Sequence, residues 1–262
     1  MSYFRVIPRL DIKGSSLVKG IHLEGLRVLG SPELFAEQYY LEGADELIYQ
    51  DVVASLYGIN SLEKIITKTA KNIFIPLTVG GGIRNEDDIN RVLRAGADKV
   101  AINTAFINEP SFINKASKMF GSSTIVASIE VIRSKDGRYL AYTDNGREYT
   151  GKDLVEWVCE VQDRGAGEII LTSIDNEGTG EGYDLNLIEK IAKGVEIPLI
   201  VHGGAGVLED IINVAKFTNV RGVSFSSITH YSLLKKYEFS KNQNIIDGNT
   251  EFLSYKKGFK NF

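Results

Sequence analysis

The chain has 262 residues, 43% of them hydrophobic, enough for one full core and close to the roughly 250 residues that eight strand–helix units require. A formal net charge of −4 without a long run of Lys or Arg argues against a nucleic-acid partner, and the single cysteine, Cys159, excludes an intramolecular disulfide framework and a clustered thiolate metal site. No apolar stretch reaches the ~20 residues that span a bilayer, and Arg5 and Arg9 interrupt the apolar opening MSYFRVIPRLD, so the expectation is a cytoplasmic protein with no membrane partner.

In chain order, short runs rich in β-branched residues alternate with amphipathic stretches of helical length. Strands are predicted near 5–11, 46–52, 75–80, 98–103, 124–130, 168–173, 197–202 and 221–226. Helices are predicted near 31–42, 60–71, 85–95, 109–119, 152–164, 184–193, 207–216 and 229–237. Parallel strands joined by helices need both faces covered, and eight such units close most economically into an α/β fold of the (βα)8 TIM-barrel type over residues 1–237. A doubly wound open sheet is the competitor.

An internal repeat favours the barrel. The segment Gly43-Ala44-Asp45-Glu46-Leu47-Ile48 matches Gly165-Ala166-Gly167-Glu168-Ile169-Ile170, and Ile75-Pro76-Leu77 with its glycines matches Ile197-Pro198-Leu199 with Gly203-Gly204. Both pairs stand 122 residues apart, as two half-barrels of four units would. Two segments break the rhythm. Residues 12–30 carry four glycines and predict a mobile flap over the mouth, and residues 133–151 hold Asp144-Asn145-Gly146, a hairpin signal. Residues 238–262, polar with scattered aromatics, are a C-terminal extension.

Glycine turns beside hydroxyls point to phosphate, because backbone N–H groups approach an anion closely where no Cβ intervenes. Gly80-Gly81-Gly82 precedes Asn103-Thr104 on the next strand, and Gly203-Gly204 precedes Ser226-Ser227, with Gly178 placed to close the second cradle. The duplication implies one ligand with two phosphates. Asp11 and Glu130 end strands one and five, on opposite sides of a closed barrel top, as acid–base work on two faces of one substrate requires. Lys19 on the flap adds a cation, and Asp51, Thr172 and Asp175 end strands two and six. His202 reads equally as a structural or a catalytic imidazole, and His22, His202 and His230 lack metal-ligand spacing. At the opposite end Arg5, Glu46, Lys99 and Glu168 open strands one, two, four and six. Such charges must pair, either as a stabilising layer or as a gate on the barrel axis.

The runs LDIKGSSLVKG, DELIYQDVVAS, IPLTVGGGIR, GADKVAINTA, GAGEIILTSIDNEGTGEGYD and HGGAG resemble the cyclase subunit family of imidazole glycerol phosphate synthase, from Arg5 to about Tyr231. The resemblance implies a heterodimer in which a glutaminase docks at the N-terminal face of the barrel and releases ammonia, which travels along the axis. At the mouth it would convert a bis-phosphorylated ribulosyl aminoimidazole-carboxamide nucleotide to imidazole glycerol phosphate and the carboxamide ribotide, in histidine biosynthesis. Asp11 and Glu130 would be the acid–base pair and Lys19 the flap cation. Asp51, Gly82, Asn103, Thr104, Thr172 and Asp175 would line the site, with Gly178, Gly204, Ser226 and Ser227 as the second phosphate cradle. Arg5, Glu46, Lys99 and Glu168 would be the ammonia gate. No cofactor and no metal is implied.

Four residues depart from the family's pattern. Glu130 replaces an aspartate, Arg9 a cysteine, Glu177 an aspartate and His202 a serine. A methylene moves a carboxylate by more than about 1 Å, an error that can cost roughly a hundredfold in rate. The alternative is therefore a related barrel that channels ammonia for the amidation of a cell-surface sugar by a separate ligase.

Overall fold

The computed structural model describes residues 4–54 and 62–240. The predicted helical positions 60–61 and residues 241–262 of the predicted extension lie outside the described residues. The first half runs β1 (Arg5–Lys13), β2 (Ser16–Ile21), β3 (Glu24–Gly30), α1 (Pro32–Leu41), β4 (Leu47–Asp51), α2 (Glu63–Thr69), β5 (Leu77–Gly80), α3 (Glu86–Ala95), β6 (Lys99–Ile102), α4 (Thr104–Asn108) and α5 (Ser111–Phe120). The second runs β7 (Ile125–Arg133), β8 (Tyr139–Thr143), β9 (Glu148–Asp153), α6 (Leu154–Asp163), β10 (Glu168–Ser173), α7 (Leu185–Ala192), β11 (Leu199–His202), α8 (Leu208–Ala215), β12 (Val220–Phe225) and α9 (Ser227–Ser240).

Eight strands pair in parallel in the order β1, β4, β5, β6, β7, β10, β11, β12, and β12 pairs back onto β1. The sheet is a closed (βα)8 barrel, and the open-sheet alternative is excluded. Its two-fold repeat extends beyond the sequence match. β1 and β7 are each nine residues long, open their half-barrels, and carry an antiparallel hairpin at their C-terminal ends, β2–β3 on one and β8–β9 on the other. The segment expected to be a flap is thus this first hairpin.

The helices form where the apolar spacing and local caps agree. Asn85 Oδ1 accepts the Asp88 amide at 2.9 Å to start α3, and Asp153 and Asp184 do the same for α6 and α7. The helix expected near 109–119 is α5, and the additional short α4 precedes it; Pro110, with no amide to continue α4, separates the two. Asn103-Thr104 consequently sits where β6 turns directly into a helix.

Side chains alternate along each strand, so one face meets the helices and the other the axis. Leu10, Leu47, Tyr49, Val79, Ile129, Leu171 and Val201 face outward into the main core with Phe35, Ile66, Ile89, Ile113 and Ile188 of the helices. Ile7, Ile48, Ala101, Val126, Ile170 and Ile200 form a separate apolar cluster inside the barrel. The same alternation turns Arg5, Arg9 and Asp11 inward with Ile7, Glu130 with Val126, Thr172 with Ile170, and His202 with Ile200. Polar residues that look misplaced in apolar strands are therefore the two ends of the axis.

Candidate active site

Among the described residues, two cavities open at the C-terminal ends of the strands. The larger, about 280 Å³, is lined by Asp51, Gly81, Gly82, Arg84, Asn103, Thr104, Glu130 and Asn145, among others. Its glycine turn is close-packed: Gly82 has φ +69°, and a Cβ there would lie 2.5 Å from Ala54 Cβ. Asp51 shapes the wall beside it, its Oδ1 accepting the amides of Val53 at 3.1 Å and Ala54 at 2.9 Å. Asn103 Nδ2 donates to Tyr142 O at 3.0 Å, while its Oδ1 is buried without a partner.

Glu130 projects into this cavity although it is 5% exposed. The turn of the β8–β9 hairpin, with positive φ at Asp144, Asn145 and Gly146, bends over it, and the Gly146 amide donates to Glu130 Oε2 at 3.0 Å. Asn145 Nδ2 ties the turn to Val52 O at 2.7 Å. Burial pushes the Glu130 carboxyl up to about 7, against the opposing pull of Arg9 and of that amide.

The second cavity, about 10 Å³, is lined by Gly178, Gly203, Gly204, Ser226 and Ser227, with Glu177 and His202. Gly204 has φ +111°, and a Cβ on it would stand 2.0 Å from Gly182 O. Ser226 Oγ donates to Arg9 O at 2.9 Å. Among the described residues the two glycine turns thus share one rim but line separate cavities. Between them lies a buried ionic cluster. Arg9 Nε donates to Asp11 Oδ1 at 2.8 Å, Lys19 Nζ stands 3.3 Å from Asp11 Oδ2, and Lys19 also pairs closely with Glu177. His202 Nε2 is 3.5 Å from Glu177 Oε1.

The β2–β3 hairpin delivers Lys19 to this cluster. It is docked on the loop after β10 through the His22 amide to Glu177 O at 2.9 Å and the His22 ring Nδ1 to Ile174 O at 2.8 Å. Burial works against the charges of Asp11 and Glu177, but Arg9 and Lys19 outweigh it at Asp11, and Lys19 and His202 at Glu177, so both carboxyls are held below their usual range. Burial, with Arg9 adding to it, pushes the His202 imidazole down, toward the neutral form.

Four predicted residues sit apart from the cavity walls, Lys19 among them within the ionic cluster. Asp11 is covered by its two cations. Thr172 points into the barrel below the mouth, its Oγ1 buried without a partner. Asp175 is turned outward, where its Oδ2 accepts the Arg133 amide at 2.8 Å, and it lines neither cavity. His230 is stacked on Tyr39 at 5.8 Å, and burial pushes it down to about 3. Among the described residues no group of three or more His, Cys, Asp or Glu is arranged to hold a metal ion, and no helix is long and apolar enough to cross a membrane.

At the other end of the axis Arg5, Glu46, Lys99 and Glu168 close a ring of alternating charge. Arg5 Nη1 pairs with Glu46 at 2.7 Å and its Nη2 with Glu168, while Lys99 Nζ reaches Glu46 at 3.0 Å and Glu168 at 2.9 Å. Thr78 Oγ1 donates to Glu46 Oε1 at 2.6 Å. Sequence reasoning missed Thr78, although its place between Leu77 and Val79 marks it as inward-facing. It also missed Asn145 and Gly146 as neighbours of Glu130, for which no local signal exists.

The profile of the histidine biosynthesis protein family matches residues 5–235. Three relatives carry the name imidazole glycerol phosphate synthase subunit HisF. The one from Legionella pneumophila is 56% identical over 80% of this chain and 99% of its own length. Those from Natranaerobius thermophilus and Prochlorococcus marinus are 44% and 45% identical, over 87% and 88% of this chain and 90% and 91% of theirs.

Proposed function

The chain belongs to the histidine biosynthesis protein family, and from that premise we propose that it is the cyclase subunit of an imidazole glycerol phosphate synthase, working as follows. One observation carries the reading. A cavity with a glycine cradle and an inward-facing Glu130 stands at one end of a barrel axis whose other end is closed by four alternating charges.

A glutaminase subunit docks at the N-terminal face and releases ammonia beneath Arg5, Glu46, Lys99 and Glu168, the gate. The apolar waist of Ile7, Ile48, Ala101, Val126, Ile170 and Ile200 admits neutral ammonia, whereas ammonium would surrender its hydration with no partner in return. The nucleotide lies across the mouth with one phosphate at Gly82, Asn103 and Thr104 and the other at Gly178, Gly204, Ser226 and Ser227. Asp51 shapes the wall beside the first phosphate, and Thr172 lines the route from below. Joining the two cavities requires Lys19 to leave Asp11 and Glu177, so the β2–β3 hairpin lifts on binding. Asp11 and Glu130 then face the ligand from opposite sides and assist cyclisation and cleavage. Asp175 acts indirectly, by holding the end of β7 that carries Glu130.

Turnover of the natural bis-phosphorylated nucleotide with free ammonium tests this. Product formation that disappears in Asp11→Asn is expected. Absence of wild-type turnover, with ammonia still delivered from a glutaminase, would replace the cyclase with the ammonia-channelling reading for sugar amidation, which the cluster separating the cavities favours.

A further inference from the structure

The carboxyls at the mouth are held in opposite ways. Asp11 has a cation on each oxygen, Arg9 on Oδ1 and Lys19 on Oδ2, and all three side chains are almost completely buried. Among the described residues Glu130 forms no ion pair. It rests against the backbone amide of Gly146 and faces the larger cavity. We propose that Arg9 is a positioning residue that clamps Asp11 as a permanent carboxylate and so leaves Glu130 as the carboxyl that moves protons in this site. The proposal rests on the cyclase reading and refines it.

The groups around each carboxyl support the division. Asp11 is faced by Arg9 of β1, Lys19 of β2, Glu177 after β10 and His202 of β11, and the two cations prevail. Glu130 is faced by Arg9 across the barrel, by Asp144, and by the amides of the Asn145–Gly146 turn, with burial dominating. Lys19 must depart when the hairpin lifts, but Arg9, on the rigid strand that carries Asp11 itself, stays. A buried carboxylate that keeps such a partner does not give it up to take a proton. When ammonia adds to an electrophilic carbon its nitrogen sheds one proton, and the group that departs takes one up. Glu130 accepts the first and donates the second, ending as it began.

The test is a carbon-13 NMR titration of carboxyl-labelled full-length protein from pH 4 to 9, with Glu130→Gln and Asp11→Asn for assignment. One carboxyl that titrates near 7 and vanishes in Glu130→Gln is expected, with no Asp11 transition above pH 4. In Arg9→Met both transitions move up, that of Asp11 by about one pH unit or more, and Arg9→Lys restores them. The ammonium-dependent kcat profile shifts in step with the Glu130 midpoint. Unchanged titrations in Arg9→Met, or a wild-type Asp11 midpoint at or above that of Glu130, would overturn the assignment. If Arg9→Met does not fold, the wild-type order and Arg9→Lys still decide. The titrations need no turnover, so they decide the Arg9 clamp by themselves, whereas an inactive wild type sinks the cyclase reading and with it the proton transfer assigned to Glu130.

Discussion

Glu130→Gln should stabilise the protein at neutral and alkaline pH while leaving it almost unaffected near pH 4. The native carboxyl sits at about 7 against an ordinary 4.5, because its ionised form is buried. A group raised on folding contributes stability that is complete below its unfolded value and is lost as pH rises through its folded value. The gap of about 2.5 units corresponds to about 3 kcal/mol at ~1.4 kcal/mol per unit. Glutamine keeps the shape of the neutral carboxyl and still accepts the Gly146 amide, but has nothing to ionise. The variant's advantage should therefore be near zero at pH 4, grow through pH 5–7 and level off by about pH 8. For a chain of this size that corresponds to roughly 6–12 °C in Tm. Calorimetric melts of both proteins at intervals from pH 4 to 9 supply the difference curve. A flat difference, or one that shrinks as pH rises, would refute the view that Glu130 is buried as an acid.

Two further outcomes follow from the geometry. Lys99→Glu leaves one cation among three anions at the floor, so glutamine-dependent turnover should fall relative to ammonium-dependent turnover, and an unchanged ratio would remove the gate. Gly204→Ala forces a Cβ toward Gly182 O at a positive φ; strain of about 1–3 kcal/mol in the turn proposed to hold the second phosphate should raise the nucleotide KM by about tenfold, and an unaltered KM would remove the second cradle.

The barrel was legible because its determinants are local and repeated. Each strand is a short β-branched run, each helix has its own apolar stripe, and the half-barrel offset recurs in two separate segments. The strand ends that carry Glu130, Gly82, Asn103 and the four floor charges follow directly from that frame. Relations between distant loops were not legible. Nothing near Asn145 or Gly146 announces that the hairpin tip caps Glu130, sixteen residues earlier in the chain. Nor does the glycine content of 12–30 foretell that the hairpin docks through His22 and drives Lys19 between the cradles. Asp175 was misjudged in placement for a simpler reason. It lies past the end of β10, so strand alternation no longer fixes the direction of its side chain.

The departures from the family's pattern make sense as one balanced change. With Asp11, Lys19 and Glu177 alone the mouth would bury one cation with two anions; Arg9 makes it two and two, with His202 kept toward its neutral form by burial and by that same arginine. An uncompensated charge at this depth costs several kcal/mol. A cation at position 9 with a neutral ring at 202 therefore costs less than a charged ring there would, since that would be a third cation against two anions. The floor obeys the same rule, with Arg5 and Lys99 against Glu46 and Glu168. Both ends of the axis are thus charge-neutral quartets separated by an apolar waist. An ion entering that waist would unbalance whichever quartet it left and gain no partner between them, whereas a small neutral base would disturb neither.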